Sequence, residues 1–194
     1  MDEPRRHVAE QLYAASREHD AARADRLERF RNVEPDTAEL LGVLVRATGA
    51  RRILELGTSN GYSTIWLADA AQATGGRVVS VDVDADRTEL ARVSLAAAGL
   101  GDHVDLRTVD AGSILADSPD AAWDFVFLDA ERPGYAGYLS DLVRTLAPRG
   151  VLAIDNVLSH AGELAKFTAL IEREATLTHT IVPVGAGLRL AVRA

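Results

Sequence analysis

The side chains of this chain that could do chemistry are carboxylates set at the ends of short apolar runs. Asp82 closes RVVSVD (77–82), Asp110 follows HVDLRTV (103–109), Asp129 closes WDFVFLD (123–129), and Asp155 closes GVLAID (150–155) ahead of Asn156. The first run, RRILEL (51–56), leads instead into Gly57-Thr58-Ser59-Asn60-Gly61-Tyr62-Ser63. Two glycines let a backbone turn tightly and approach a ligand, and the free amides of the helix that follows favour an anionic group. The GxxxG spacing is neither the GxGxxG of dinucleotide folds nor the GxxxxGK[ST] of a P-loop. An acidic residue such as Asp82, one strand beyond a glycine turn, accepts hydrogen bonds from a ribose diol. It could equally cap the next helix, as Asp84 and Asp86 could. Asp110 and Ala111 could border a flat ring, or Asp110 could serve as an N-cap. Asp129, Asp155 and Asn156 are hard oxygen donors that suit Mg²⁺, with water and substrate completing the shell; their plainer role is to end strands in turns.

These residues need a scaffold that gathers strand ends. The five apolar runs alternate with helical stretches at 62–73, 86–98, 135–147 and 163–175 and a short turn near 112–118. Such alternation implies right-handed crossovers and a parallel sheet covered on both faces, with ligands beyond the carboxyl ends of the strands. Ahead of the sheet, residues 4–31 read as one long amphipathic helix with Val8, Leu12, Ala15, Leu27 and Phe30 on its apolar stripe. Pro35 fits the first turn of a second helix that buries Leu40, Leu41, Leu44 and Val45 and closes at Gly49. Segments 178–184 and 188–194, joined by Gly185-Ala186-Gly187, read as an antiparallel hairpin. The expected fold is α/β, a doubly wound, mostly parallel sheet with a C-terminal antiparallel hairpin. It forms a single domain over 1–194, with N-terminal helices at 1–48 and the α/β core at 49–194.

Composition narrows the function. Hydrophobic residues make up 47% and charged residues 26% of 194 residues, which excludes disordered and membrane-spanning classes. The net charge of −8 argues against nucleic acid or an anionic membrane as partner. Lys166 is the only lysine among 21 basic residues, and the absence of cysteine removes thiolate chemistry and disulfides. The N-terminal stretch carries no apolar signal region, so a cytoplasmic enzyme is expected.

The segments ILELGTSNGYSTIWLA, VVSVDVD, VDA, DFVFLDAERPGY, GVLAIDNVL and PVGAGLRLA resemble, in order, the motifs of class I S-adenosylmethionine-dependent methyltransferases with a Rossmann-like fold. The closest branch is that of the small O-methyltransferases similar to catechol and caffeoyl-CoA O-methyltransferases. The resemblance implies S-adenosyl-L-methionine as cofactor and a small-molecule hydroxyl, catechol-like or phenolic, as acceptor. It implies that Glu55, Gly57, Thr58, Ser59, Gly61 and Tyr62 shape the pocket for the methionine part and that Ser63 bonds its carboxylate. Asp82 and Val83 would hold the ribose, Asp110 and Ala111 would border the adenine, and Asp129 would stand beside the cofactor. Asp129, Asp155 and Asn156 would bind Mg²⁺ or another divalent cation, and Tyr135 falls where the family often has tyrosine. A homodimer is implied as well.

Two departures stand out. The family usually has lysine three residues after the first metal aspartate, where this chain has Arg132. A guanidinium keeps its proton, so Arg132 can steady a phenolate but not act as base. His160 is the candidate base, and its plainer role is a surface histidine at a helix start. The stretch between Asn156 and Glu163 is also shorter than in many relatives, so the acceptor pocket is expected to be more open or closed by a second subunit. Two other readings stay open: a metal-free methyltransferase in which Arg132 holds an anionic acceptor, and a cofactor-binding protein without catalysis.

Overall fold

In the computed structural model, which describes residues 1–194, seven strands form one sheet. They are β1 (Arg52–Leu56), β2 (Arg77–Asp82), β3 (Val104–Thr108), β4 (Trp123–Leu128), β5 (Leu146–Ile154), β6 (Leu177–Val182) and β7 (Leu188–Arg193), in the spatial order β3-β2-β1-β4-β5-β7-β6. The strands β1 to β5 pair in parallel, and β7 runs antiparallel to both β5 and β6. The chain therefore winds outward from β1 to β3, returns to β4 on the other side of β1, and finishes with the expected hairpin. Its order reverses between β1 and β4, where a doubly wound sheet leaves a crevice.

Side-chain alternation assigns each face its own core. Ile53, Phe125 and Phe127 pack with Leu41, Ile65 and Leu67, under α1 (Glu3–Ala21), α2 (Pro35–Thr48), α3 (Tyr62–Thr74) and α4 (Ala85–Ala97). Leu54, Leu56, Val126 and Leu128 pack on the opposite face with Leu142, Ile154 and Phe167, under α5 (Ala111–Asp117), α6 (Tyr135–Thr145) and α7 (Ala165–Ile171). Near-continuous apolar strands are what two covered faces require. Pro35 opens α2 and Gly49, at φ 66°, closes it as expected. No helix is long and apolar enough to cross a membrane.

Four boundaries depart from the sequence reading. The first helix stops at Ala21 rather than continuing to residue 31. Residues 22–26 offer no large apolar side chain, and the Asp20 carboxylate accepts the amides of Phe30 (2.8 Å) and Arg31 (2.9 Å), folding the chain back. Asp25 then caps a single 3₁₀ turn at Arg26–Glu28. The turn expected near 112–118 is the helix α5, because Asp110 caps it through the amides of Gly112 and Ser113. The last helix shrinks to Ala165–Ile171, since residues 157–164 form turns that bond back to the C-terminal hairpin through Ala186 and Gly187. β5 starts at Leu146, four residues early, with an irregular register against β4 and Arg149 at φ 64°, so α6 ends at Thr145.

Candidate active site

A cavity of about 510 Å³ opens over the carboxyl ends of β1, β2 and β4, at the point where the strand order reverses. The loop after β1 forms its floor. Gly57 sits at φ 108°, and a Cβ there would collide with the carbonyl of Asp129, so the loop lies directly on the end of β4. Gly61, at φ 89°, faces Ala91 of α4 at a distance that leaves little room for a side chain (3.0 Å from Cα to a Cβ). No side chain caps the start of α3, so its first amides remain available to an anion beside Ser63.

Beneath this loop Glu55 is fully buried and accepts three hydroxyls, from Ser63 (2.6 Å), Thr64 (2.5 Å) and Ser80 (2.6 Å). Burial pushes its carboxyl up to about 7 against the pull of those hydroxyls. Thr58 joins the same cluster through Ser80 (2.6 Å), and Tyr62 is buried against Tyr13 of α1. Glu55, Thr58, Gly61 and Tyr62 thus shape the floor from below and do not line the cavity, whereas Gly57, Ser59 and Ser63 do.

Asp82 and Val83 line the cavity at the end of β2. The Asp82 carboxylate accepts the amides of Ser59 (2.8 Å) and Asp84 (3.0 Å), so it fixes the loop while keeping lone pairs for a ligand. Asp110 and Ala111 line the neighbouring wall. There Asp110 performs the capping role and borders the cavity at once.

The far end of the cavity holds Asp129, Asn156, Arg132 and His160. Asn156, at φ 66° just beyond β5, turns back so that its Nδ2 donates to Asp129 Oδ1 and Asp155 Oδ2, each at 3.0 Å. Asp155 is 3% exposed and its Oδ1 is buried without any partner. Burial and the neighbouring Asp155 hold the Asp129 carboxyl well above its ordinary range, and burial pushes Asp155 up to about 6. Two stacked, desolvated carboxylates with an orphaned oxygen fit a hard cation. No trio of His, Cys, Asp or Glu gathers anywhere in the molecule, so a metal here would rest on the two carboxylates and on the Asn156 oxygen once the amide, whose Nδ2 faces both carboxylates, turns over.

Arg132 is 6% exposed and donates through Nε to Glu163 Oε2 (2.8 Å). His160 Nδ1 lies 2.8 Å from the Ser159 hydroxyl, and burial, then Arg132, lower its pKa, which favours the neutral ring.

A family model described as O-methyltransferase matches residues 10–193. This chain belongs to the O-methyltransferase family. Among its relatives, the catechol O-methyltransferase of Mycobacterium tuberculosis is 38% identical over 156 residues, covering 80% of this chain and 68% of that protein. A catechol O-methyltransferase of Niastella koreensis is 34% identical over 66% of this chain, and the match takes in 58% of its length. Among solved structures, the O-methyltransferase from Bacillus cereus in complex with SAH superposes with a TM-score of 0.80 at 29% identity, over 100% of this chain and 92% of that one. The Streptomyces achromogenes O-methyltransferase involved in tomaymycin synthesis, in complex with SAM, gives 0.79 at 29% identity over 100% and 91%.

In this O-methyltransferase, sequence reasoning missed the segment between α1 and α2 as part of the site. Leu27, Phe30 and Asn32 line the cavity from above, together with Arg26 and Arg31. The segment is tied down by Arg87, which donates to the carbonyls of Leu27 (2.5 Å) and Arg29 (3.0 Å), and by the Ser59 hydroxyl on the Phe30 carbonyl (3.0 Å). Arg26 and Arg31 both reach Glu131, at 3.0 and 2.6 Å. The available signal was the charged stretch 22–26, which interrupts the apolar stripe of the helix. Tyr138 of α6 also lines the wall unannounced, close over Gly112.

Proposed function

We propose that this chain transfers a methyl group from S-adenosylmethionine to a hydroxyl of a small catechol-like or phenolic acceptor, assisted by Mg²⁺ or another divalent cation. The observation that carries this reading is the Asp129–Asn156–Asp155 cluster: Asp129 and Asn156 line the cavity at the end opposite Asp82, and Asp155, with its orphaned oxygen, lies buried behind them. When bound, the cofactor supplies an already activated methyl group, and the cation supplies positive charge that lowers the pKa of an acceptor hydroxyl.

The protein's own part is alignment. Asp82, with Val83 beside it, would accept the ribose hydroxyls, the uncapped amides of α3 and Ser63 would take the methionine carboxylate, and Asp110 and Ala111 would border the adenine. Asp129, Asp155 and Asn156 would hold the cation and, through it, the acceptor oxygens. Holding donor and acceptor in line contributes about 7–11 kcal/mol in favourable cases. Arg132 would steady the developing oxyanion without taking its proton, and His160, held neutral at the rim, is the group that could accept it.

The test is calorimetric titration with S-adenosylhomocysteine, followed by Mg²⁺ into the saturated protein. One cofactor site followed by one Mg²⁺ site, the latter lost in Asp155→Ala with the former kept, supports the reading. Cofactor binding with turnover indifferent to EDTA would move it to a metal-free methyltransferase. Cofactor binding with no turnover of any phenol would leave a silent binder.

A further inference from the structure

Three arginines converge on the acceptor end of the cavity from distant parts of the chain. Arg26 and Arg31 come from the segment above it, and Arg132 from the end of β4. Arg26 and Arg31 both pair with Glu131, the residue before Arg132, which gathers the three on one wall of the cavity. Their donors are not all used. Arg132, almost fully buried, is bonded only through Nε to Glu163, which leaves its two terminal nitrogens without a protein acceptor. Arg31 gives one terminal nitrogen to Glu131, and its Nε is buried with no partner at all.

Leaving the buried Arg31 Nε unfilled is costly, and the Arg132 terminal nitrogens have no protein acceptor on the cavity wall, so these donors mark the place of an acceptor that arrives with a ligand. The protein acids on these arginines, Glu131 and Glu163, are 45% and 52% exposed, and Glu131 lines the cavity beside them. Each guanidinium spends one nitrogen on a carboxylate, Arg132 its Nε and Arg31 one terminal nitrogen, so the rest of its fork is open to a second. Both guanidiniums also act on the buried Asp129 carboxylate, but their carboxylate hydrogen bonds go to Glu131 and Glu163 instead, so most of their donors stay open.

We propose that the acceptor carries a carboxylate in addition to the hydroxyl that is methylated, and that Arg31 and Arg132 grip this carboxylate. The proposal rests on the methyl-transfer reading for the hydroxyl end, but the anion subsite can be measured without it. Arg31 and Arg132 would act as specificity-determining residues, and Arg26 would position Arg31 by sharing Glu131.

The first measurement uses benzoate, which has the carboxylate but no hydroxyl to methylate or to reach a metal. It is titrated into the protein saturated with S-adenosylhomocysteine, in EDTA, with benzamide and phenyl phosphate as comparators. Benzoate should bind at least tenfold more tightly than benzamide, and Arg31→Met should remove most of that difference. Arg31→Lys, which keeps the charge and loses the fork, should restore part of it. Equal affinities for benzoate and benzamide, or a preference kept in full by Arg31→Met, overturn the proposal; tighter binding of phenyl phosphate overturns the choice of carboxylate. The second measurement is the ratio of kcat/KM for 3,4-dihydroxybenzoate over catechol. It should exceed ten in the unaltered protein and fall toward one in Arg31→Met, and a ratio near one from the start refutes the proposal. Benzoate selectivity with no turnover of either catechol would instead locate the failure in the methyl-transfer reading and leave the anion subsite standing.

Discussion

Replacing Glu55 by glutamine changes one ionisable group and almost nothing in shape, which makes it a clean probe of the cluster under the glycine loop. The buried carboxyl is pushed from an ordinary 4.5 up to about 7. A group with a raised folded-state pKa contributes stability that is fully present below its unfolded value and is lost as pH rises through the folded one. For Glu55 that window runs from about pH 4.5 to about pH 7. Integrated between pH 5 and pH 8, the shift amounts to about 2.5 kcal/mol. Asp129 and Asp155 titrate in the same direction, so the total pH dependence of the unaltered protein is steeper than this. The difference between proteins reports Glu55 together with the smaller part of the Asp129 shift that the Glu55 charge causes. Urea unfolding of the unaltered protein and of Glu55→Gln at pH 5 and pH 8, in EDTA and without cofactor, gives four free energies. The loss between the two pH values should be smaller in Glu55→Gln by about 2.5 kcal/mol. Equal losses in both proteins would show that Ser63, Thr64 and Ser80 stabilise the ionised form well enough to cancel burial, and the account of the cluster would be wrong.

Other consequences are open to simpler assays. Gly57→Ala meets both a positive φ and the Asp129 carbonyl, so it should cost about 2–4 kcal/mol in urea unfolding and weaken S-adenosylhomocysteine binding with it. Asp82→Ala should lower that affinity at least tenfold by calorimetry, since it removes the proposed ribose acceptor and frees the Ser59 amide. Asp20→Ala releases the amides of Phe30 and Arg31, and should speed S-adenosylhomocysteine dissociation in stopped flow while leaving α3 and its amides in place. Unchanged dissociation would mean that the segment above the cavity does not control access.

The strand ends were legible because two periodicities and the positions of Asp82, Asp110, Asp129, Asp155 and Asn156 agree with one topology. Asp129 and Asn156 are brought within hydrogen-bonding distance by adjacent parallel strands, as the reading of paired strand ends required. What was not legible depends on long-range partners. Leu27 and Phe30 continue the apolar spacing of α1, and only the capture of the Phe30 and Arg31 amides by Asp20 shows that the helix has ended. Arg26 and Arg31 find Glu131 about a hundred residues away, a pairing that no local pattern encodes. Glu55 read as a pocket residue because its position follows the motif, but its three hydroxyl partners, one of them on β2, turn it into a support under the floor.

The placement of β7 between β5 and β6 sets an order of assembly on the ribosome. Everything that surrounds the loop after β1, from α1 to the end of β4, has left the exit tunnel long before β7 is made. Until that strand arrives, β5 presents an open row of backbone groups right next to Asp155 and Asn156, and β6 has no strand to join. The turn that bears Asn156 is in the same position, since the amides of Val157, Leu158 and Ser159 wait for the carbonyls of Gly187 and Ala186. A nascent chain halted after β6 should therefore bind S-adenosylhomocysteine before it can hold a cation. It would also carry an unpaired sheet edge of the kind that recruits other chains, which makes β7 the strand that protects β5 and β6.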